Sequence, residues 1–112
     1  MKRIPSAFQL GPHTIEVHIV SEEEMRAACK RFDVALRNGE DVPAGLTVYE
    51  ENKIYVLKVT RKFRKGLQMH AFWHEYFHML FWHLGRERLA RDETLVDTAG
   101  ALQLQAFQTA EF

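Results

Sequence analysis

At 112 residues the chain has the size of one domain, and residues 1–112 read as a single unit without a separate regulatory or targeting module. Hydrophobic residues make up 46% and aromatics 12%, enough apolar surface for a core without cross-links, and the lone Cys29 excludes an internal disulfide. Lysine plus arginine balance aspartate plus glutamate at 15 each, so no global field points to nucleic acid or membrane, and function has to be sought locally.

Met1-Lys2-Arg3 leads into a short stretch broken by Pro5 and Pro12. Neither a signal peptide nor a membrane span is readable there, and a cytoplasmic location follows by default. From Thr14 to Val20, Ile15, Val17 and Ile19 alternate with polar residues, which is the period of a half-buried strand. Ser21 and Glu24 have the spacing of a capping box, and Met25, Ala28, Cys29 and Phe32 then recur at helical intervals, with Cys29 as a small core residue. This helix is expected to end before Asn38-Gly39, with a connection from Pro43 to Gly45.

Two β-rich runs, Leu46 to Tyr49 and Ile54 to Leu57, flank the polar Glu50-Glu51-Asn52-Lys53 and predict a hairpin. A basic stretch follows, with Lys58, Arg61, Lys62, Arg64 and Lys65; it reads as a solvated connection, with an anion or DNA contact as the alternative. From Leu67 to Leu84 the chain is apolar on nearly every face, interrupted by Gln68, Glu75 and four histidines, and it stops at Gly85, a helix C-cap residue. That pattern predicts a buried helix and excludes a membrane span, because ionisable groups recur along it. A last helix is predicted from Asp92 to Gln108.

His74-Glu75-Tyr76-Phe77-His78 is an H-E-x-x-H motif inside the buried helix. Residues four apart share a helical face, so both imidazoles can meet one zinc ion while Glu75 lies beside them. A catalytic zinc takes three protein ligands and a water, whose lowered pKa makes it a nucleophile when a carboxylate accepts its proton. The five-residue pattern alone is only moderately specific, and the context strengthens it. Two histidines and a glutamate amid Phe, Trp, Met and Leu are expensive unless something pairs them.

The third ligand is expected from the next helix, after a short link through Gly85. Glu93 and Asp97 are four apart and share a face, which Gly100 and Ala101 continue with small side chains that allow close helix approach. Glu93 is assigned to the metal and Asp97 to the other ring N–H of a ligand histidine, with Asp97 or Asp92 as competing ligands. The opposing reading makes both acids solvated helix-start residues favoured by the macrodipole.

H-E-x-x-H followed by E-x-x-x-D resembles the gluzincins, the thermolysin-type zinc peptidases. The order of hairpin, basic connection, motif and Glu93-Thr-Leu-Val-Asp97 is similar to the small ImmA/IrrE-type metallopeptidases, over roughly residues 45 to 107. The resemblance implies an intracellular zinc endopeptidase with Zn2+ on His74, His78 and Glu93, Glu75 as general base, and a protein or peptide substrate such as a DNA-binding regulator. Phe77 departs from the small residue many relatives carry there. The metzincin signature is absent, since Phe81 and Leu84 stand where it needs Gly and His.

His70 lies on the face of His74 and reads as a structural or substrate-side group, whereas His83 faces elsewhere. Tyr49, Tyr55 and His70 are the visible oxyanion donors, and none is placed by sequence. Ile54, Tyr55 and Val56 are expected to pair with extended substrate by strand addition, the alternative being a plain core strand. The fold expected is α+β: a small mixed sheet of three or so strands packed against an N-terminal helix and two zinc-site helices. The rival functions are a zinc-binding interaction module without turnover and a DNA-associated protein recruited through Arg61 to Lys65.

Overall fold

A computed structural model describes residues 3–36 and 41–111. It is an α+β structure with strands β1 (Ala7–Leu10), β2 (His13–Val20), β3 (Gly45–Val48) and β4 (Lys53–Leu57). Its helices are α1 (Glu22–Arg31), α2 (Lys65–His83), α3 (Glu87–Ala90) and α4 (Glu93–Thr109). The strands form one mixed sheet in the order β1-β2-β4-β3. β2 and β4 run parallel, with α1 and the edge strand β3 lying between them in the chain, and the outer pairs are antiparallel.

The sheet has one more strand than the alternation pattern suggested. β1 pairs with β2 through a two-residue turn of Gly11 and Pro12, with Gly11 at φ +59, a backbone state that glycine adopts without strain. The prolines that masked this strand stand outside it. Alternation then divides the sheet into two faces. Val20, Leu46 and Val48 pack with Met25, Ala28 and Cys29 of α1, while Ile15, Val17, Ile54 and Val56 pack with Phe72, Trp73 and Met79 of α2. α1 and α2 thus cover opposite faces, and Thr47, between Leu46 and Val48, faces α2.

The capping box opens α1 as its sequence predicts: Ser21 Oγ accepts from Glu24 N–H at 3.1 Å, and Glu24 Oε1 accepts from Ser21 N–H at 3.0 Å. The helix stops early, at Arg31. Asp33 turns left-handed at φ 57, and Val34 N–H reaches back to Cys29 O at 2.8 Å while Asp33 N–H reaches Lys30 O at 3.3 Å, a Schellman closure without glycine. The expected end at Asn38-Gly39 lies outside the described residues.

α2 closes the same way on the glycine expected to cap it. Gly85 sits at φ 72, with Arg86 N–H on Phe81 O at 2.9 Å and Gly85 N–H on Trp82 O at 3.0 Å. The link to the last helix contains the one-turn α3. Asp92 caps α4, its Oδ1 accepting from Leu95 N–H at 3.0 Å. Among the described residues no helix is long and apolar enough to cross a membrane.

α4 lies against the side of α2 that carries the histidines. Gly100 makes this possible: a Cβ built there would stand 3.0 Å from His74 N and 3.2 Å from Trp73 C, both backbone atoms. Ala101, expected on the same face, is exposed instead.

Candidate metal centre

His74, Glu75 and His78 come from the middle of α2, Glu93 and Asp97 from the first two turns of α4. His74 Nε2 and His78 Nε2 lie 3.1 Å apart. Glu93 Oε2 is 3.0 Å from His74 Nε2, and its Oε1 is 3.1 Å from His78 Nε2. One ligand atom from each of the three side chains falls within 4.8 Å of the others.

What the other ring nitrogens do fixes the chemistry of this triangle. His74 Nδ1 donates to Asp97 Oδ1 at 3.0 Å, and the carboxylate can only accept. His78 Nδ1 donates to the backbone carbonyl of Ala90, at the end of α3. Both Nδ1 atoms therefore carry a proton, and in a neutral ring Nε2 is left with a lone pair facing the other imidazole and Glu93. Lone pairs at these separations repel unless a proton or a metal cation lies among them. Ligand atoms about 2.0–2.1 Å from a tetrahedral zinc lie roughly 3.3 Å from one another, so two imidazoles and one carboxylate fit that ion.

Glu75 points the other way round the helix, into the contact with β3. Its side chain is buried, and Thr47 Oγ1 donates to its Oε1 at 3.0 Å. Its Oε2 lies 3.9 Å from His74 Nε2. Gly45 leaves the room for this carboxylate, since a Cβ there would stand 2.7 Å from Glu75 Cγ and 2.9 Å from its Oε2.

The electrostatics follow from burial and neighbours. Burial pushes the Glu75 carboxyl up to about 7, against the lowering effects of His74 and Thr47. Burial pulls the His74 imidazolium down, but Glu75, Asp97 and Glu93 outweigh it, and its pKa lies above the ordinary histidine value. For His78 burial prevails and holds the ring below the ordinary histidine value, which favours the neutral form that binds metal. The hydrogen bond from His74 holds Asp97 below the usual carboxylate range.

These groups line one cleft of about 530 Å3, with Gly45, Leu46 and Thr47 of β3, Tyr49, and the apolar Phe63, Leu67 and Ala71 on its walls. Glu93 is the acid that reaches both imidazoles; Asp97 and Asp92, the competing ligands, are engaged with ring N–H donors and with the α4 N-terminus. His70 lines the cleft and donates from Nε2 to Asp97 Oδ1 at 3.1 Å, so this one oxygen joins two histidines.

Ile54, Tyr55 and Val56 do not provide an edge. β4 is paired on both sides, by β2 and β3, so strand addition there is closed and the expectation is corrected. The edge that borders the cleft belongs to β3. Tyr55 stacks on His18, with ring centroids 5.3 Å apart, and packs with the α1 side of the sheet, away from the cleft. Tyr49 lines the cleft, its hydroxyl 3.3 Å from Ala90 O and from His78 Nδ1, where it braces the histidine from behind. His83 is apart from the site, bonded to Asn52 and stacked on His13.

Sequence reading missed Gly45, Thr47 and the Ala90 carbonyl. The only prior signal was the small residue at 45, which looked like part of a connection. No family model, curated protein or solved structure matches the chain.

Proposed function

We propose that the chain is a zinc-dependent endopeptidase of the gluzincin kind, with zinc on His74, His78 and Glu93. The observation that carries this reading is the convergence of two Nε2 atoms and the Glu93 carboxylate at ligand spacing while both Nδ1 atoms are held by oxygen acceptors. A zinc ion there would supply a Lewis acid for the scissile carbonyl and lower the pKa of a water molecule. Glu75, its Oε1 held by Thr47, keeps Oε2 free to accept the proton of the attacking water and pass it to the leaving amine.

Substrate would be an extended polypeptide laid along the open edge of β3, whose backbone groups face the cleft wall. The family resemblance makes a DNA-binding regulator the candidate substrate. A single buried thiol fits a reducing cytoplasmic compartment.

The test is Glu75→Gln. Zinc content measured on the purified variant should equal that of the parent, while hydrolysis of casein or a peptide library falls to background. Loss of zinc with cleavage retained would contradict the roles assigned. Zinc binding without turnover by the parent protein would leave an interaction module instead.

A further inference from the structure

One end of the cleft is electrically unlike the rest of this neutral chain. Lys58, Arg61, Lys62, Arg64 and Lys65 put five cations into the eight positions 58–65, and no Asp or Glu occurs from 52 to 74. All five are exposed. Among the described residues, Arg61, Lys62, Arg64 and Lys65 have no ion-pair partner. An ordinary solvated surface intersperses the two signs, because like charges in a row repel.

The segment is also held in shape. Thr60 and Phe63 close a turn on each other, with Thr60 N–H on Phe63 O at 2.9 Å and Phe63 N–H on Thr60 Oγ1 at 3.0 Å. Lys58 N–H is tied to Val20 O at 2.8 Å, and Gln68 Nε2 to Leu57 O at 3.0 Å. Arg61 and Lys62 therefore stand at the tip of a fixed turn.

Phe63, with cations on both sides of it, lines the cleft, and so does Leu67, which remains 53% exposed. On α2, Leu67, Ala71 and His74 follow one another at i, i+4 and i+7, so one helix face leads from the cationic turn to the metal centre. That path is about 10 Å long, the reach of roughly three residues of extended chain.

We propose that this end of the cleft selects substrate: a polypeptide with a large apolar residue seated on Phe63 and Leu67 and acidic residues beyond it, over Arg61, Lys62 and Arg64. The inference rests on the peptidase reading above and adds the substrate class. An apolar wall continuing into the cleft suits a single extended chain rather than a nucleic-acid duplex, whose phosphates would meet the cations but leave Phe63 and Leu67 uncovered.

The experiment measures fluorescence anisotropy of labelled peptides on the zinc-loaded Glu75→Gln protein, so that no substrate is consumed. Each peptide carries one Phe, with an Asp-Glu pair or a Lys-Lys pair a few residues to either side. The acidic peptide should bind about tenfold tighter than its basic counterpart at low salt, as two exposed ion pairs allow, with the advantage shrinking as salt is added. Arg61→Glu with Lys62→Glu should reverse the preference, while Lys30→Glu on α1 should leave it. Equal affinities, a preference untouched by the double reversal, or a DNA duplex that outcompetes the acidic peptide would overturn the proposal. The two readings separate: acidic preference without cleavage by the parent protein upholds this surface and removes the peptidase, whereas cleavage of both peptides at equal rates does the reverse.

Discussion

Each imidazole of the centre is oriented by an oxygen on a different element, His74 by the Asp97 carboxylate and His78 by the Ala90 carbonyl. The two contacts differ in what mutation can remove. Asp97→Ala leaves His74 Nδ1 without its acceptor and releases His70 as well, so zinc affinity should fall about 10- to 100-fold, the range for losing such a supporting carboxylate. Competition with a chelating dye reads this directly, and an unchanged affinity would deny Asp97 its orienting role. Glu93→Ala should lower zinc affinity further than Asp97→Ala, because it removes a ligand rather than a support. Asp92→Ala should leave zinc affinity near that of the parent and cost about 1 kcal/mol of stability through the lost α4 cap, measured by urea unfolding. Equal zinc losses in the Asp92 and Glu93 variants would sink the ligand assignment.

At the scale of elements, the distance between α2 and α4 decides whether Glu93 reaches the imidazoles. Gly100 sets that distance. Alanine there would gain up to about 1 kcal/mol of helix propensity over glycine. Its Cβ, however, would press on the backbone of Trp73 and His74, which cannot swing aside as a flexible side chain can. Overpacking of this kind costs about 1–3 kcal/mol, so Gly100→Ala should be net destabilising, and Gly100→Val more so. Both should weaken zinc binding by drawing Glu93 and Asp97 back; a stabilised variant with parent affinity would show that the helices have slack. The same contact explains what the sequence could reveal. Helical and alternating periods expose β2, α1, the β3–β4 hairpin, α2 and α4, since each shows a repeating apolar face over several residues. β1 buries too little for alternation to show between Pro5 and Pro12, and α3 is a single turn. Local patterns also do not record strand order, so nothing in Ile54 to Leu57 shows that β4 lies inside the sheet, or that Gly45 and Thr47 of β3 receive Glu75. His74, Glu75, His78 and Glu93 were legible because the metal chemistry proposed for them fixes residue type and spacing; the Ala90 carbonyl was not, because any residue supplies one.

For the whole molecule, the centre sits where the C-terminal helices meet the long helix on the sheet. α2 spans the body of the protein on one face of the sheet, while α3 and α4 rest on it through Ala90, Val96 and Gly100, with Leu95, Leu102 and Phe107 left exposed on α4. Leu104 packs on the core beside α2 and Phe107 stacks on Trp73 at 5.5 Å between centroids, and Glu93 and the Ala90 carbonyl fasten the C-terminal helices to α2 at the histidines. A cation bound by His74, His78 and Glu93 binds the folded chain and finds no such triangle in the unfolded one. Binding of that kind stabilises by RT ln(1 + [L]/Kd), about 2.7 kcal/mol at a zinc concentration 100 times Kd. For a domain of this size that raises Tm by on the order of 10 °C. Thermal unfolding followed by circular dichroism, with zinc and then with excess EDTA, should show the shift and its reversal. Magnesium at the same concentration should not reproduce it, because two imidazole nitrogens and one carboxylate suit a borderline ion and not a hard one. His78→Ala should abolish the zinc response while keeping a cooperative transition. A parent protein whose midpoint ignores zinc, or follows magnesium equally, would mean that Glu93 and the two imidazoles close the helices on each other through protons alone.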